Sequence, residues 1–143
     1  MIAVNTTGAA TFNSLSENGS VTITSNSNNV TFTDDVGAGD NVLTVTGLTI
    51  NSAANVNTGA DAITVSGDLG LTASSGLTVG GAITANGSVS LSGANVSIAA
   101  VTSDNDTSGG DGDITIEAAT GLAIGADLTT NNNNLIIRGN SDS

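Results

Sequence analysis

The 143-residue chain has no cysteine, proline, tryptophan, tyrosine or histidine, and its only aromatic residues are Phe12 and Phe32. Without aromatic anchors a thick globular core cannot be built, so stability has to come from many small aliphatic contacts. The lack of cysteine excludes a disulfide framework and thiolate metal sites. Basic residues are nearly absent too: Arg138 stands against thirteen acids, a net charge of −12. Such a surface repels phosphate backbones and anionic lipid heads, so neither nucleic acid nor a membrane surface is expected as a partner. No stretch approaches the roughly 20 apolar residues of a membrane helix. The opening residues, MIAVNTTGAATF, lack the basic start and long apolar run of a signal peptide.

What the chain does have is repetition. Asp68 to Asn95, DLGLTASSGLTVGGAITANGSVSLSGAN, returns in phase as Asp113 to Asn140, DITIEAATGLAIGADLTTNNNNLIIRGN. Leu69, Leu71, Leu77, Val79 and Ile83 sit 45 positions before Ile114, Ile116, Leu122, Ile124 and Leu128. After one extra Asn the phase resumes, with Val89 and Leu91 facing Leu135 and Ile137. Each unit is a short apolar-x-apolar strand closed by Gly, Asn, Ser or Asp, residues that accept the backbone angles of a tight turn.

Three series of strands can be traced by their inward apolar pairs. One starts at Ile2, Val21, Leu43, Ile63, Ile83, Val101 and Leu128; a second at Phe12, Val30, Leu48, Leu69, Val89, Ile114 and Leu135; a third at Leu15, Val36, Val56, Leu77, Val96 and Leu122. Successive members are mostly 18 to 22 residues apart, the length of a coil with three short strands. So short a repeat cannot bury its apolar face alone, and coils must stack to share a core. The expectation is an all-β chain folded as a right-handed parallel β-helix (β-solenoid) of about seven coils, about 30 to 35 Å long at the usual strand spacing. It forms a single domain over residues 1–143, with residues 102–113 pushed out of the wall as an acidic loop. An antiparallel sandwich and a disordered low-complexity chain also fit short strands and Ser/Thr/Asn/Gly content. Neither explains apolar pairs that recur at constant phase.

The phrases SGDLGLTASSGLTVGGAITANGSVSLSGANVSI and GDITIEAATGLAIGADLTT resemble the passenger repeats of filamentous-haemagglutinin-type adhesins and related bacterial β-strand-repeat proteins. The likeness is close over residues 61–140 and looser over 1–60. It implies a right-handed β-helix, export to the cell surface or medium, and a part in adhesion, biofilm or filament structure. Because the shared pattern is compositional, no binding residue is carried over. The chain shows none of the family's secretion domain or signal peptide, which leaves the export route open.

Residues able to do chemistry are few. Polysaccharide lyases need a base such as Lys, Arg or His, and Arg138 alone is present. Asp34, Asp35 and Asp40, or Asp61 and Asp68, could pair as acid and base for glycoside hydrolysis; as turn residues on a solvated wall they need no such role. The sharpest local signal is the loop Asp104, Asn105, Asp106, Thr107, Ser108, Gly109, Gly110, Asp111, Gly112, Asp113. Asp104, Asp106 and Ser108 followed by Gly109 match the first half of an EF-hand-like calcium loop, where alternate oxygens wrap a hard cation. Thr115 stands at the twelfth position in place of the bidentate Glu, and Glu117 comes two residues late. The candidate metal ligands are Asp104, Asp106, Ser108, Asp111 and Asp113, with calcium as the cofactor they would take; the other reading is a solvated acidic loop that holds no cofactor.

A row of Thr22, Thr44, Thr64, Thr84, Thr102 and Thr129 invites comparison with ice-binding solenoids, although Thr also simply suits exposed strands. The partner row of Thr24, Thr46, Ser66, Asn86, Asp104 and Asn131 decays into turn residues. The Asn-x-Ser/Thr sequons at Asn5, Asn18, Asn29, Asn86, Asn95 and Asn105 are expected by chance in this composition.

These readings converge on a non-catalytic structural or adhesive segment of an extracellular bacterial protein. The alternatives are a subunit of a self-assembling filament and, from another class, a carbohydrate-binding or carbohydrate-cleaving β-helix. Partners would be neighbouring coils, further copies docked end to end, and host or matrix glycans. The chain opens in strand phase at Ile2 and closes with Leu135, Ile136 and Ile137 near its end, leaving no room for a cap at either terminus. It is therefore expected to be cut from a longer solenoid or to dock with copies of itself.

Overall fold

The computed structural model describes residues 2–12, 20–25, 30–32, 47–58, 62–104, 112–131 and 133–139. Within them the period-two alternation resolves into fifteen strands and no helix. In chain order these are β1 (Ile2–Thr6), β2 (Ala10–Phe12), β3 (Ser20–Ser25), β4 (Val30–Phe32), β5 (Gly47–Ser52), β6 (Val56–Asn57), β7 (Ile63–Val65), β8 (Leu69–Ala73), β9 (Gly76–Val79), β10 (Ile83–Ala85), β11 (Val89–Ile98), β12 (Val101–Thr102), β13 (Ile114–Ile124), β14 (Leu128–Thr129) and β15 (Leu135–Gly139).

All pairings are parallel, and they sort into three walls. Seven rungs form the first: β1, β3, β5, β8, the first halves of β11 and β13, and β15. Six form the second: β2, β4, β6, β9 and the second halves of β11 and β13. The third holds β7, β10, β12 and β14. The chain visits the walls in turn and so builds a parallel β-solenoid. Four turns show all three walls and β15 opens a fifth, giving about five three-walled turns. The seven coils expected from the sequence correspond to the rungs of the first wall alone, because the residues after β2 and β4 lie outside those described.

The core is the column of inward side chains that each wall repeats. On the first wall Leu48, Leu69, Val89 and Ile114 stack beside Ile23, Ile50, Leu71, Leu91 and Ile116, all buried. Val56, Leu77 and Val96 meet them from the second wall, and Ile63, Ile83 and Val101 from the third. Each fully buried Leu or Ile contributes about 1.5–3 kcal/mol by leaving water. At the bend between the first two walls the inward position shrinks to Ser25, Ser52, Ala73, Gly93 and Ala118. The two serines keep their hydroxyls bonded there: Ser25 Oγ donates to the Gly8 carbonyl and Ser52 Oγ to that of Asn55, each at 3.1 Å. β11 and β13 run through this bend without a break, with a register shift between Gly93 and Asn95.

The N-terminal phasing departs from the sequence reading. Ile2 pairs with Val21 and Val21 with Leu48, so the first series joins the second on one wall. Phe12 pairs with Phe32, and the strands that carry them stand below Val56 on the second wall. Ile63, Ile83, Val101 and Leu128 do form one series, on the third wall. The cause is a step of 27 residues from Val21 to Leu48, against 21 and 20 for the next two. Leu15, Val36 and Leu43 lie outside the described residues.

Polar side chains at the corners tie coil to coil. Asn55 Oδ1 accepts the Gly76 N–H at 2.9 Å, and a β-carbon at Gly76 would stand 2.9 Å from that same oxygen. Glycine suits the position because the amide approaches so closely; a larger residue would have to push the Asn55 side chain aside.

Candidate functional site

The corner after β12 carries the least ordinary chemistry. Asp104 and Asn131 are the two non-glycine residues with positive φ among those described, at 52° and 42°. They occupy equivalent corners on successive coils, and short polar side chains tolerate that left-handed geometry. The Asn131 Nδ2 donates to the Asp104 carbonyl at 2.8 Å, locking one corner onto the next.

The Asp104 side chain turns inward and is only 3% exposed. Its Oδ2 accepts from Asn133 Nδ2 at 3.1 Å, and that nitrogen also donates to the Thr130 carbonyl at 3.1 Å. Its Oδ1 is buried and has no hydrogen-bond partner among the described residues. No basic side chain offsets it. The only one in the sequence, Arg138, bonds Glu117 Oε1 through Nη1 at 2.6 Å. A carboxylate buried against neutral amides alone is destabilising unless a compensating charge reaches it.

Ser103 is fully buried and its Oγ donates to the Gly112 carbonyl. A β-carbon at Gly112 would collide with the β-carbon of Asp104 and stand 2.8 Å from Asn133 Nδ2. Asp104 and Gly112 are thus in contact, so the acidic loop leaves and re-enters the wall at one place. Thr102 belongs to β12, which puts the start of the excursion after it.

Of the five candidate ligands, Asp104 and Asp113 are described, while Asp106, Ser108 and Asp111 lie outside the described residues. Asp113 Oδ1 accepts from Asn134 N at 2.8 Å and from Asn134 Nδ2 at 3.1 Å, and Oδ2 from the same Nδ2 at 3.3 Å. Among the described residues no three His, Cys, Asp or Glu side chains gather as a metal site. Asn131, Asn133 and Ser103 are part of this corner: by composition the Asn run 131–134 suits left-handed turns whose amides stack coil on coil, and Asn131 takes that geometry, but nothing in the sequence linked the run or Ser103 to the acidic loop. The run stands one coil beyond the loop.

Other sequence candidates separate. Asp68 Oδ1 accepts the Ser88 N–H at 2.9 Å as a turn residue; Asp34, Asp35, Asp40 and Asp61 lie outside the described residues. Thr64, Thr84, Thr102 and Thr129 do stack on the third wall. Thr22 belongs to the first wall beside Ala3 and Thr49, and Thr44 lies outside the described residues. The partner row, which decays into turn residues in the sequence, is interrupted at Asp104, whose side chain is buried. An open groove of about 470 Å³ runs along the bend past Ser92, Gly93, Glu117 and Arg138, its one acid tied to its one base.

No protein-family model, curated protein or solved structure matches this chain. No helix of the described residues is long and apolar enough to cross a membrane.

Proposed function

We propose that this chain is a structural or adhesive segment of an extracellular bacterial protein, serving adhesion, biofilm or filament architecture without catalysis. The observation that carries this reading is how the polar residues are used. Inside, aliphatic columns run through successive rungs of the first wall; at the corners, Asn55, Asp68, Asp113 and Asn131 spend their polar atoms on coil-to-coil bonds. Such a molecule transmits its shape along an axis. The likeness to filamentous-haemagglutinin-type repeats supports the extracellular setting, and the net charge of −12 weighs against nucleic acid and anionic membranes.

The test is a panel of soluble and insoluble glycans, scored for binding and for released products. A scaffold leaves every glycan intact and binds few. Release of sugar products would overturn the reading in favour of a carbohydrate-cleaving β-helix, and tight selective binding would favour a carbohydrate-binding one.

One observation favours a cation-loaded form of the same scaffold. The buried Asp104 Oδ1 lacks a partner among the described residues, in a chain with one base. Calcium held at the acidic loop would supply the missing positive charge.

A further inference from the structure

Asn86 and Gly87 form the corner between β10 and β11. Three successive backbone N–H groups here donate to the coil below: Asn86 to the Val65 carbonyl at 3.2 Å, Gly87 to the Gly67 carbonyl at 3.0 Å and Ser88 to Asp68 Oδ1 at 2.9 Å. Gly87 also lies hard against that coil. A β-carbon there would stand 2.8 Å from the Gly67 carbonyl carbon and collide with Asp68 Oδ1, so a larger residue would have to displace backbone.

The same pair is chemically labile. In an Asn-Gly sequence no β-carbon shields the glycine nitrogen, which can attack the asparagine Cγ. Its proton leaves with the side-chain amide as ammonia, a succinimide ring forms, and water opens the ring to an aspartyl or an isoaspartyl residue. Water is the one co-reactant. Fold and chemistry thus make opposite demands on one position: the coil needs glycine at 87, and glycine makes Asn86 reactive.

The closed coil withholds what ring closure requires. The Gly87 N–H is held by the Gly67 carbonyl, and bringing Gly87 N onto Asn86 Cγ means turning a rigid peptide plane, which breaks that bond in a corner with no room beside Gly87. Once the corner opens, the restraint is gone. We propose that Asn86–Gly87 is a modification site, a self-deamidating pair that coil stacking keeps inert and that local opening between β10 and β11 releases. The product then prevents reclosing. An isoaspartyl link routes the main chain through the former side chain and adds an atom between residues 86 and 87, so the N–H groups that met Val65 and Gly67 lose their matched spacing. Opening, otherwise reversible, becomes permanent at this corner. The inference holds whether or not the scaffold binds glycans.

Asn18–Gly19 is the other Asn-Gly pair in the sequence, so the test uses Asn18→Gln, which leaves Asn86 alone in that context. This chain is kept at mildly alkaline pH, folded in buffer or unfolded in concentrated urea, and then cut before aspartate. The piece from Asp68 to Ser103 carries Asn86, and its one other amide, Asn95, precedes valine. Conversion to aspartate adds a cut at 86, and conversion to isoaspartate leaves the piece whole and heavier. Deamidation should proceed readily in urea and at least about tenfold more slowly in the folded chain, as expected of a corner that must open first. After removal of urea the isoaspartyl fraction should melt at least about 5 °C below the unmodified chain, having lost matched backbone bonds. Asn86→Gln in the same background, taken through the same urea, should regain its own midpoint in full. Equal rates in buffer and in urea would overturn the inference, because stacking would then not guard the pair. So would an isoaspartyl chain that refolds and melts with the unmodified one.

Discussion

Asp113 Oδ1 accepts the backbone N–H of Asn134, one coil on, at 2.8 Å. Asp68, 45 positions earlier, accepts that of Ser88 at 2.9 Å. The internal repeat therefore extends to its bonds as well as its apolar pattern, and these two carboxylates act as ties between coils. Removing either ends a hydrogen bond from a backbone N–H that would otherwise be left to water. Asp68→Ala and Asp113→Ala are each expected to lower stability by about 1 kcal/mol, read from urea melts. An unchanged midpoint in both would mean that the ties contribute nothing.

The interior and exterior of the walls should respond oppositely to charge. Leu91 is fully buried between Leu71 and Ile116, while Thr84 faces outward between Thr64 and Thr102. Leu91→Asp removes an apolar contact and buries a charge without a partner, at a cost of several kcal/mol. Cooperative melting should be lost, whereas Thr84→Asp should melt much as the parent does. Equal behaviour of the two variants would contradict the assignment of faces.

Thr58 offers a change in the stabilising direction. It is fully buried, and its hydroxyl has no hydrogen-bond partner among the described residues. Thr58→Val keeps the shape and removes the unpaired group, so the melting midpoint should rise, by about 1 kcal/mol in stability. A fall would show that the hydroxyl is bonded after all.

Much of this fold was legible because the repeat is regular where its turns are. From Leu48 to Val89 the first wall advances by 21 and then 20 residues, and constant phase is enough to align the strands. The long step ending at Ile114 was legible as well, since its extra residues are conspicuously acidic. The 27-residue step from Val21 to Leu48 was not. Leu43 and Leu48 both open an apolar-x-apolar pattern, and alternation alone cannot say which of two such strands sits above Val21. The exposure of Leu135 and Ile137 could not be read for a different reason: they follow the inward pattern of Ile114 and Ile116, and only their place on the last described rung leaves them half-exposed. At the acidic corner the sequence named Asp104 among the candidate ligands, but the inward turn of its side chain depends on positive φ and on Asn131 and Asn133, 27 and 29 residues away.

That corner supports the last prediction. The Asp104 carboxylate is buried beside the amide of Asn133, with one oxygen unpartnered among the described residues and no base free to approach. If calcium supplies the compensating charge, binding should be weak, with a dissociation constant of about 10⁻⁴ to 10⁻³ M as in extracellular modules. Ten millimolar calcium, roughly ten to a hundred times that constant, should then raise stability by about 1.5–3 kcal/mol through mass action. Asp104→Asn keeps the shape and the Asn133 contact but deletes the charge, so it should abolish the calcium response. It should also melt no lower than the parent in chelator, because it relieves an uncompensated buried carboxylate. Gly112→Ala serves as the contrast: its β-carbon would collide with that of Asp104, so it should destabilise with calcium and without. Calorimetric titration of the parent and Asp104→Asn, with melts in calcium and in chelator, separates these outcomes. No heat from the parent at millimolar calcium, or the same heat from Asp104→Asn, would remove the cation from this corner and leave Asp104 as a strained corner residue only.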